Sequence, residues 1–397
     1  MTVRVNKSSF NIREKLSELG RKFGLKGSEL AAAETVQEAR DIVSAGRKNM
    51  IINGACMINE RFASGTYTLT SSADYFPVDR FRSWAGGTGQ FTIQRSDNAP
   101  PGFKNSLMFT VSTADSSITA GEYYTIQQRI EGYNFAHLNW GTANAKPVTL
   151  SFWVKADVTG KYGISFWPDG QNYNYVTHYN INIADTWEYK TITIPGATSG
   201  TWLKTNGTGC GIWWDLGTGS QYETSATESW GQSNKFLPTG CSKMIATNGA
   251  KFRMTGIQLE VGRNATDFEH RPYGEELALC QRYFRKFGTG APFIRGATGT
   301  VYSSAPLQSY YPLIPDMRAI PTGSNASGGT TVTGQGYSST YSSSPGTHEY
   351  TATFSNTGGG TMVLGLNYNQ VNNGGTNLPT SVAFVGLSDV IHLNAEL

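Results

Sequence analysis

The alternation of apolar and polar residues is clearest between positions 148 and 155. One parity is entirely apolar and the other is mostly polar: Val148, Leu150, Phe152 and Val154 against Thr149, Ser151, Trp153 and Lys155. Because successive side chains of a strand point to opposite faces of a sheet, this pattern predicts a half-buried β-strand. We expect the four apolar residues to lie in the core and Trp153 to lie on the outer face.

Short apolar runs bounded by Gly, Asn, Asp and Pro indicate further strands. They include 107–111, 162–167, 187–194 and 252–261. In the last run the apolar parity changes at Gly256, which predicts a β-bulge that keeps both halves facing the core. The absence of strand-helix alternation argues against a parallel sheet. The spacing favours an antiparallel jelly-roll sandwich and a mainly β fold.

Residues 1–48 differ from the rest of the chain, since they are rich in Lys, Arg, Glu, Ala and Leu and contain no tryptophan. Apolar residues recur there at helical spacing in two stretches, namely Ile12, Leu16, Leu19 and Phe23 in the first and Val36 and Ile42 in the second. Helices this short are marginal in water, so their apolar faces need a covering partner. We interpret the segment as a helical anchor or oligomerisation segment. The alternative is a helical cap packed on the chain's own β-domain.

The stretch PYGEELALCQRYFRKFG predicts a connecting helix, assigned to 275–288. Two glutamates in its first turn and three basic residues in its last turn would complement the helix dipole. Before it, 49–274 are predicted to form the jelly-roll sandwich, and after it, 289–397 a C-terminal β-domain. Strands of that domain are predicted at 350–354, 362–366, 382–387 and 390–393.

Composition narrows the class of protein. Charged residues make up 15% of the 397 residues and aromatic residues 12%, with 46 glycines, a balance that favours short strands and tight turns. The net charge is only +3, and basic residues form no stripe outside the first fifty positions, so nucleic acid is not expected as a partner. No window reaches the ~18 apolar residues of a membrane span, and no secretory signal is recognisable.

The titratable and metal-binding residue types form no motif. The cysteines, Cys56, Cys210, Cys241 and Cys280, contain no CxxC pair and are predicted to be buried thiols, with a Cys210–Cys241 disulfide expected only after maturation in an oxidising compartment. The five histidines are scattered, so neither a catalytic triad nor a metal cluster is indicated. No cofactor is expected. Loop Asp and Asn residues leave a structural Ca²⁺ open, although no loop carries an ordered ladder of ligands.

Two aromatic-rich stretches carry candidate sugar-binding residues, because flat rings pack on the C–H faces of pyranoses while amides and carboxylates bind hydroxyls. They are Trp167, Asp169, Gln171, Tyr173 and Tyr175 in the first and Trp213, Trp214, Asp215, Tyr222 and Trp230 in the second. Exposed aromatic patches usually mark binding surfaces, whereas a single tryptophan is more often in the core. A polysaccharide depolymerase would need paired carboxylates, and no spacing of acidic residues here singles out a pair.

Four segments carry a family resemblance. They are 129–157, KNMIINGACMINERF at 48–62, IATNGAKFRMTGIQLEVG at 245–262 and FEHRPYGEELALCQRYF at 268–284. Together they resemble a module of tailed-bacteriophage virion appendage proteins, of the cyanophage and marine phage type. The leader stretches SSFNIREKLSEL and ETVQEARDIVSAGRKN are similar to segments attached to this module, and a Gly/Ser/Thr-rich end closing in NAEL is also typical of it.

The resemblance implies a jelly-roll like that of carbohydrate-binding modules. It further implies a non-enzymatic virion structural protein, a homotrimeric tail fibre or related appendage that is assembled in the cytoplasm of the host bacterium. Residues 1–48 would then attach it to other virion proteins, and the β-domains would meet bacterial surface glycans. Two alternatives stay open: an architectural protein of the capsid or tail without glycan binding, and a depolymerase.

Overall fold

The computed structural model describes residues 47–61, 65–70, 74–287, 307–312, 316–319, 322–325, 331–338, 346–356, 361–368, 382–387 and 391–397. The predicted anchor residues Ile12, Leu16, Leu19, Phe23, Val36 and Ile42 lie outside these ranges. Within them, no helix is long and apolar enough to cross a membrane.

Two six-stranded antiparallel sheets face each other and form a β-sandwich. In spatial order, the first sheet contains β1 (Tyr67–Leu69), β4 (Gln90–Ser96), β5 (Ser106–Thr113), β14 (Lys251–Val261), β7 (Val148–Ala156) and β10 (Glu188–Ile194). The second contains β2 (Asp74–Val78), β3 (Phe81–Ala85), β6 (Tyr124–Glu131), β11 (Thr208–Asp215), β8 (Gly160–Trp167) and β9 (Tyr175–Ile181). The chain crosses repeatedly between the sheets, and the predicted mainly β fold is confirmed.

The core lies between the inner faces of these sheets. On β7 the four predicted core residues, Val148, Leu150, Phe152 and Val154, are fully buried, which confirms the alternation. The Phe152 ring meets Tyr179 and Trp214 of the second sheet at centroid distances of 5.1 and 6.3 Å. Burying each such side chain stabilises the fold by roughly 1.5–3 kcal/mol. On the outer face Trp153 packs on Tyr189 at 5.3 Å.

The β-bulge predicted at Gly256 is confirmed. The register of β14 against β7 shifts between Thr255 and Gln258, and Phe252 and Leu259, on opposite sides of the shift, are both fully buried. Gly256 has φ +61°, and a Cβ there would lie 2.7 Å from the Phe103 ring. Both the backbone conformation and the close ring contact therefore require glycine.

A segment without regular structure, residues 49–54, runs through the interior beside this bulge. The Met50 amide donates to Leu259 O (2.9 Å) and the Ile257 amide to Gly54 O (3.0 Å). Gln128 of β6 binds both backbone groups of Ile52, at 3.0 Å each. The segment is thereby hydrogen-bonded to both sheets. Gly54 lies so close to β14 that a Cβ would be 2.1 Å from Ile257 O.

Charged side chains from beyond the sandwich complete the hydrogen bonding of this segment. The Glu269 carboxylate accepts from the Lys48 and Asn49 amides at 2.8 and 2.7 Å. Buried Arg271 donates to Ile51 O (3.1 Å) and to Glu276 (3.2 Å), and Glu276 also accepts from the Asn53 amide at 2.6 Å. Burial raises the pKa of the Glu276 carboxyl, while Arg271 lowers it.

The structure has two described α-helices, of which α1 is a single turn, Gly132–Phe135, and α2 is Tyr273–Gln281. Helix α2, which carries Glu276, is shorter than the predicted helix 275–288. The prediction of helix is wrong from Phe284 onward, because Phe284–Phe287 forms strand β15. This strand pairs with the last strand of the chain, β22 (Ile391–Asn394), so a partner about a hundred residues away decides its conformation. The three basic residues expected to close the helix therefore lie beyond its end.

The other strands of the described chain form three small sheets. A two-stranded parallel pair joins β12 (Glu223–Thr224) and β13 (Leu237–Pro238), and a three-stranded sheet contains β15, β22 and β17 (Thr322–Asn325). A five-stranded antiparallel sheet contains β16 (Leu307–Pro312), β20 (Thr361–Tyr368), β19 (Gly346–Asn356), β18 (Thr331–Ser338) and β21 (Val382–Leu387). These strands include the segments predicted at 350–354, 362–366 and 382–387, while β22 covers 391–393 of the segment predicted at 390–393.

The end of the chain docks on the sandwich through ion pairs. The Glu396 carboxylate pairs with Arg61 at 3.0 Å and with buried Arg80. Arg282 pairs with buried Glu131 of β6 at 2.5 Å. Arg318 donates to the carbonyl oxygens of Ala395 and Glu396, both at 2.8 Å. Breaking a buried pair of this kind leaves an uncompensated charge. The ion pairs therefore fix how the end of the chain is aligned on the sandwich.

We predict that Gly256→Ala destabilises the protein more than Gly249→Ala does. Both glycines have positive φ, but a Cβ at Gly249 meets nothing within 4 Å. Gly249→Ala should cost the ~1–2 kcal/mol of a left-handed non-glycine residue, and Gly256→Ala a further ~1–3 kcal/mol for the overlap with Phe103. Urea unfolding of the two variants measures the difference. Equal losses would contradict the requirement for space at the bulge.

Candidate functional site

The outer face of the second sheet carries a row of polar and aromatic side chains in cross-strand register. Gln127 of β6 lies opposite Arg82 of β3 on one side and Trp213 of β11 on the other, and Trp213 lies opposite Ser165 of β8. Trp84, two residues after Arg82, points to the same face and is half-buried. Alternation within each strand thus places these residues together.

Aromatic rings extend this row into a continuous group that we call the outer-face site, defined by Arg82, Trp84, Tyr123, Gln127, Trp213, Tyr222 and Phe236. Trp84 lies 4.4 Å from Tyr123 and 6.5 Å from Trp213, between ring centroids. Tyr123 lies 6.2 Å from Tyr222. Trp84, Tyr123 and Tyr222 are half-buried, so part of each ring faces solvent.

The site is supported from below by a buried ring stack. Trp213 stacks on Phe236 at 4.3 Å and 18°, and both are at most 2% exposed. Phe236 is held in place because its amide donates to Tyr222 O at 2.9 Å. The connection between β11 and β14 therefore folds back over the sheet and brings Tyr222 beside Tyr123. Rings fixed in this way lose little conformational entropy on binding a ligand.

Arg82 is the one charged residue among the seven that define the site. The Arg82 guanidinium lies 4.6 Å from the centroid of the Trp84 ring, a cation–π contact that holds the ring in place. Beneath the half-buried rings, three polar atoms, Gln127 Oε1, Trp213 Nε1 and Ser165 Oγ, have no hydrogen-bond partner in the described part of the chain. Buried polar atoms are normally satisfied by protein or water, so this row has hydrogen-bonding capacity that the described chain does not use.

The structure separates the two predicted aromatic stretches into different groups. Tyr173 and Tyr175 of the first stretch join Trp230 of the second at one end of the sandwich, with centroid distances to Trp230 of 6.0 and 5.1 Å. Trp140 and Trp202 pack on the same indole at 5.0 and 5.4 Å. We call these five residues the loop-end cluster.

Hydrogen bonds indicate that the loop-end cluster mainly fixes loops. The indole N–H groups of Trp140, Trp202 and Trp230 donate to backbone oxygens of Lys146, Ser199 and Pro195, at 2.7, 3.0 and 2.9 Å. Tyr175 is buried, whereas Tyr173 and Trp230 are half-buried. Asp169 is exposed and Gln171 half-buried on the adjoining turn, so only this edge of the cluster is open to a ligand.

Three predicted ligand contacts are corrected by burial. Trp214 and Asp215 are 0% exposed, and Trp167 is 1% exposed. Trp214 points into the core, and the Trp167 ring lies across Gly211, where a Cβ would come within 2.1 Å of it. A side chain without accessible surface cannot contact a glycan, so these three residues support the fold. Trp213, 2% exposed, supports the outer-face site from beneath.

Asp215 is a buried carboxyl that is only partly hydrogen-bonded. Its Oδ1 accepts from the amides of Gly217 (3.3 Å) and Thr218 (2.9 Å), and its Oδ2 has no hydrogen-bond partner in the described residues. Burial raises the pKa of Asp215 above its ordinary 3.8, and the nearby Lys243 ammonium offsets only part of this rise.

The acidic residues near the aromatic groups do not form a facing pair. Glu223 is paired with Lys243 at 2.8 Å, Asp169 and Glu228 are exposed, and Asp215 is fully buried. In the described ranges no three or more His, Cys, Asp or Glu side chains are grouped to hold a metal ion. The four cysteines are free and buried, as predicted, and burial raises the pKa of Cys241 to about 12.

Sequence reasoning missed Arg82, Trp84 and Tyr123. The sequence did contain a signal for two of them. The stretch FRSWA alternates with period two, which predicts a strand with Arg82 and Trp84 on one face. The strand is only five residues long, and nothing local indicates that Tyr222 and Phe236 fold over it. The contacts of the outer-face site come from three separate parts of the chain.

Comparison with known proteins gives structural similarities only. No protein-family model matches the chain, and no curated protein matches it. Similar solved structures include the enzymatically active domain of bacteriophage CBA120 tailspike protein 4, at 12% identity and a TM-score of 0.28 over 54% of this chain. The match spans 21% of that tailspike structure.

Carbohydrate-binding modules are also among the similar structures. A structure described as CBM4 is 14% identical, with a TM-score of 0.27 over 53% of this chain and 98% of its own. A family 11 module from Clostridium thermocellum, in complex with a β-1,3-1,4-mixed-linked tetrasaccharide, is 12% identical, with a TM-score of 0.25 over 53% of this chain and 100% of its own. Scores this low assign no function.

We predict that Trp214→Ala lowers the free energy of unfolding by about 3–5 kcal/mol, the cost of a large cavity in a packed core. Trp84→Ala, at a half-buried position, should cost clearly less. Tyr133→Ala, at a side chain that is 62% exposed, should change it by less than ~0.5 kcal/mol. Urea unfolding of the three variants measures the order. A Trp214→Ala protein as stable as Tyr133→Ala would contradict the placement of Trp214 in the core.

A second prediction concerns the pH dependence of stability at Asp215. Because its pKa is raised in the fold, the native state holds this proton more tightly than the unfolded state. The resulting stabilisation is present below about pH 3.8 and is lost as pH rises through the raised pKa. Asp215→Asn removes this titration, so the variant should gain stability relative to the wild type as pH rises towards neutrality. A difference that is constant with pH, measured by urea unfolding, would refute this.

Proposed function

We propose that this protein is a non-catalytic, glycan-binding β-sandwich protein of a phage-particle appendage, and that the outer-face site contacts the glycan. The observation that carries the proposal is the series of half-buried rings in contact with one another, Trp84 on β3, Tyr123 just before β6 and Tyr222 in the connection after β11. Such rings present flat apolar surface beside polar groups, which is the combination that binding sites for small polar ligands use.

The polar groups of the site suit hydroxyl-bearing ligands. Arg82 donates hydrogen bonds in a fixed plane next to Trp84, and the tyrosine hydroxyls both donate and accept. A sugar that packs on the exposed part of these rings would lie beside the Arg82 guanidinium and the tyrosine hydroxyls. The net effect is a shallow site with modest affinity for each contact.

A binding role is favoured over hydrolysis by the state of the acidic groups. Hydrolysis of a glycosidic bond requires two carboxyls on opposite sides of the sugar, roughly 5–10 Å apart. Asp215 is buried away from solvent, and Glu223 is engaged by Lys243. The outer-face site itself contains no acidic residue. We therefore consider glycan binding better supported than depolymerase activity.

Assignment to a phage particle rests on the sequence resemblance of residues 48–62, 129–157, 245–262 and 268–284. In this proposal residues 1–48 attach the protein to other virion proteins, and the chains assemble as a homotrimer that displays several copies of the site. Weak single sites then suffice, because multivalent display multiplies avidity without new contacts.

We predict that Trp84→Ala and Tyr222→Ala weaken binding to a retained glycan at least about tenfold each, or ~1.4 kcal/mol. The measurement is a glycan array of bacterial surface polysaccharides with the full chain, followed by titration calorimetry with each oligosaccharide retained. Tyr133→Ala, an exposed ring outside the site, is the matched control and should bind normally.

Three results would overturn the proposal or redirect it. A blank array for the intact protein favours the architectural alternative, in which the rings are covered by neighbouring subunits. Binding that survives Trp84→Ala and Tyr222→Ala removes the outer-face site. Release of new reducing ends from a polysaccharide would establish hydrolysis, and its loss on neutralising one carboxyl would identify the catalytic group.

A further inference from the structure

A separate cavity of about 300 Å³ opens between the loops that follow β5 and β11. It is lined by Ser116, Ile118, Thr218, Ser220, Glu223 and Lys243, together with Gly219 and Ala246. This volume is at the lower end of the ~300–1,000 Å³ typical of small-molecule sites.

The rim of the cavity is fixed by backbone hydrogen bonds between its two loops. The Gly219 amide donates to Glu122 O at 2.8 Å, and the Gln221 amide donates to Ala120 O at 3.0 Å. A Cβ on Gly219 would lie 2.0 Å from Thr119 O, so glycine is required for this close approach. The cavity is therefore pre-formed, which reduces the entropic cost of binding a ligand.

An ion pair crosses the wall of the cavity. Lys243 Nζ lies 2.8 Å from Glu223 Oε1 and also donates to Thr218 O. Both side chains are only partly buried, at 26% and 16% side-chain exposure, so they remain accessible. A donor and an acceptor in contact can together bind two neighbouring hydroxyls, one accepting from the ammonium and the other donating to the carboxylate.

A buried polar pair, Thr218 and Asp215, lies at the base of the same cavity. Thr218 is fully buried. No group in the described residues meets both the distance and the angle of a hydrogen bond with its hydroxyl. The hydroxyl is close enough to Asp215 to lower the pKa of that carboxyl, and Asp215 Oδ2 is also unpartnered. The hydroxyl and this carboxylate oxygen can therefore satisfy each other, and the pair fixes the base of the cavity.

We propose that this cavity binds one neutral sugar unit through two adjacent hydroxyl groups, at the end or on a branch of a glycan. The proposal deepens the proposed function and rests on it. The hydroxyls of Ser116 and Ser220 provide further polar contacts, and Ile118 and Ala246 provide an apolar wall for the C–H face of the ring.

The charge balance of the cavity selects against ionic ligands. The Glu223 carboxylate neutralises the Lys243 ammonium, and Asp215 lies behind Thr218, so an anionic sugar would meet no free positive charge. A cationic amino sugar would compete with Lys243 for Glu223. A neutral vicinal diol fits without breaking the ion pair, and each of its hydrogen bonds contributes about 1 kcal/mol.

The test blocks the cavity without disturbing the core. Ser116 and Ser117 are adjacent and both exposed, but only Ser116 lines the cavity. Ser116→Trp should fill the opening, and Ser117→Trp is the matched control. Binding of methyl glycosides of glucose, galactose and mannose to the full chain is measured by saturation-transfer NMR, with Glu223→Gln as a second variant that removes the carboxylate and keeps its size.

At least one methyl glycoside should bind the wild type and Ser117→Trp alike, and its Kd should rise about tenfold or more in Ser116→Trp and in Glu223→Gln. A glycoside that binds Ser116→Trp as well as the wild type overturns the cavity proposal. If oligosaccharides still bind and depend on Trp84 while no monosaccharide depends on Ser116, the proposed function stands and the cavity proposal fails. If the wild type binds neither oligosaccharides nor monosaccharides, the proposed function and the cavity proposal both fail.

Discussion

Residues 49–54 run through the sandwich interior without joining a strand, and the arrangement around them follows from the need to hydrogen-bond their backbone. A buried amide or carbonyl left unpaired costs about 1–3 kcal/mol. Here β14 contributes backbone groups at its bulge, Gln128 contributes a side-chain amide from the opposite sheet, and Arg271 contributes a guanidinium. The bulge, the inward-pointing glutamine and the charged stretch after the sandwich therefore form one interdependent unit.

The same constraint explains why the sandwich continues into helix α2. Arg271 and Glu276 are buried and pair with each other at 3.2 Å while each binds the segment. Removal of Arg271 would leave the buried Glu276 carboxylate without an ion-pair partner, at a cost well above that of a surface ion pair. Arg271 itself also pairs with Glu269, at 3.2 Å. The outer-face site and the cavity near Lys243 share no residue with this hydrogen-bonded unit, so their geometry is set by sheet packing and loop closure.

The alternation of apolar and polar residues was sufficient to predict the strands that have one buried and one exposed face. The alternation in β7 and the parity change at Gly256 could both be read because each obeys period two. Strand β11 could not be recognised, since all eight of its residues are buried and its two tryptophans suggested an exposed aromatic patch. Residues 284–287 were assigned to a helix because a strand partner at 391–394 leaves no local signal. For the candidate site, Trp213 and Tyr222 were identified, whereas Trp84 and Tyr123 were missed because their contact depends on the pairing of β3 with β6.

The hydrogen bonds between residues 48–53 and 269–276 also define a path for mechanical load. Lys48 and Glu269 are in contact although 221 residues separate them, and Arg47 pairs with Glu275 at 2.8 Å. The chain thus enters and leaves the sandwich at neighbouring points, and the two sheets form a side branch between them. Tension applied at positions 47 and 275 would be borne first by these hydrogen bonds and ion pairs, and it would reach the strands of the sandwich only after they had broken.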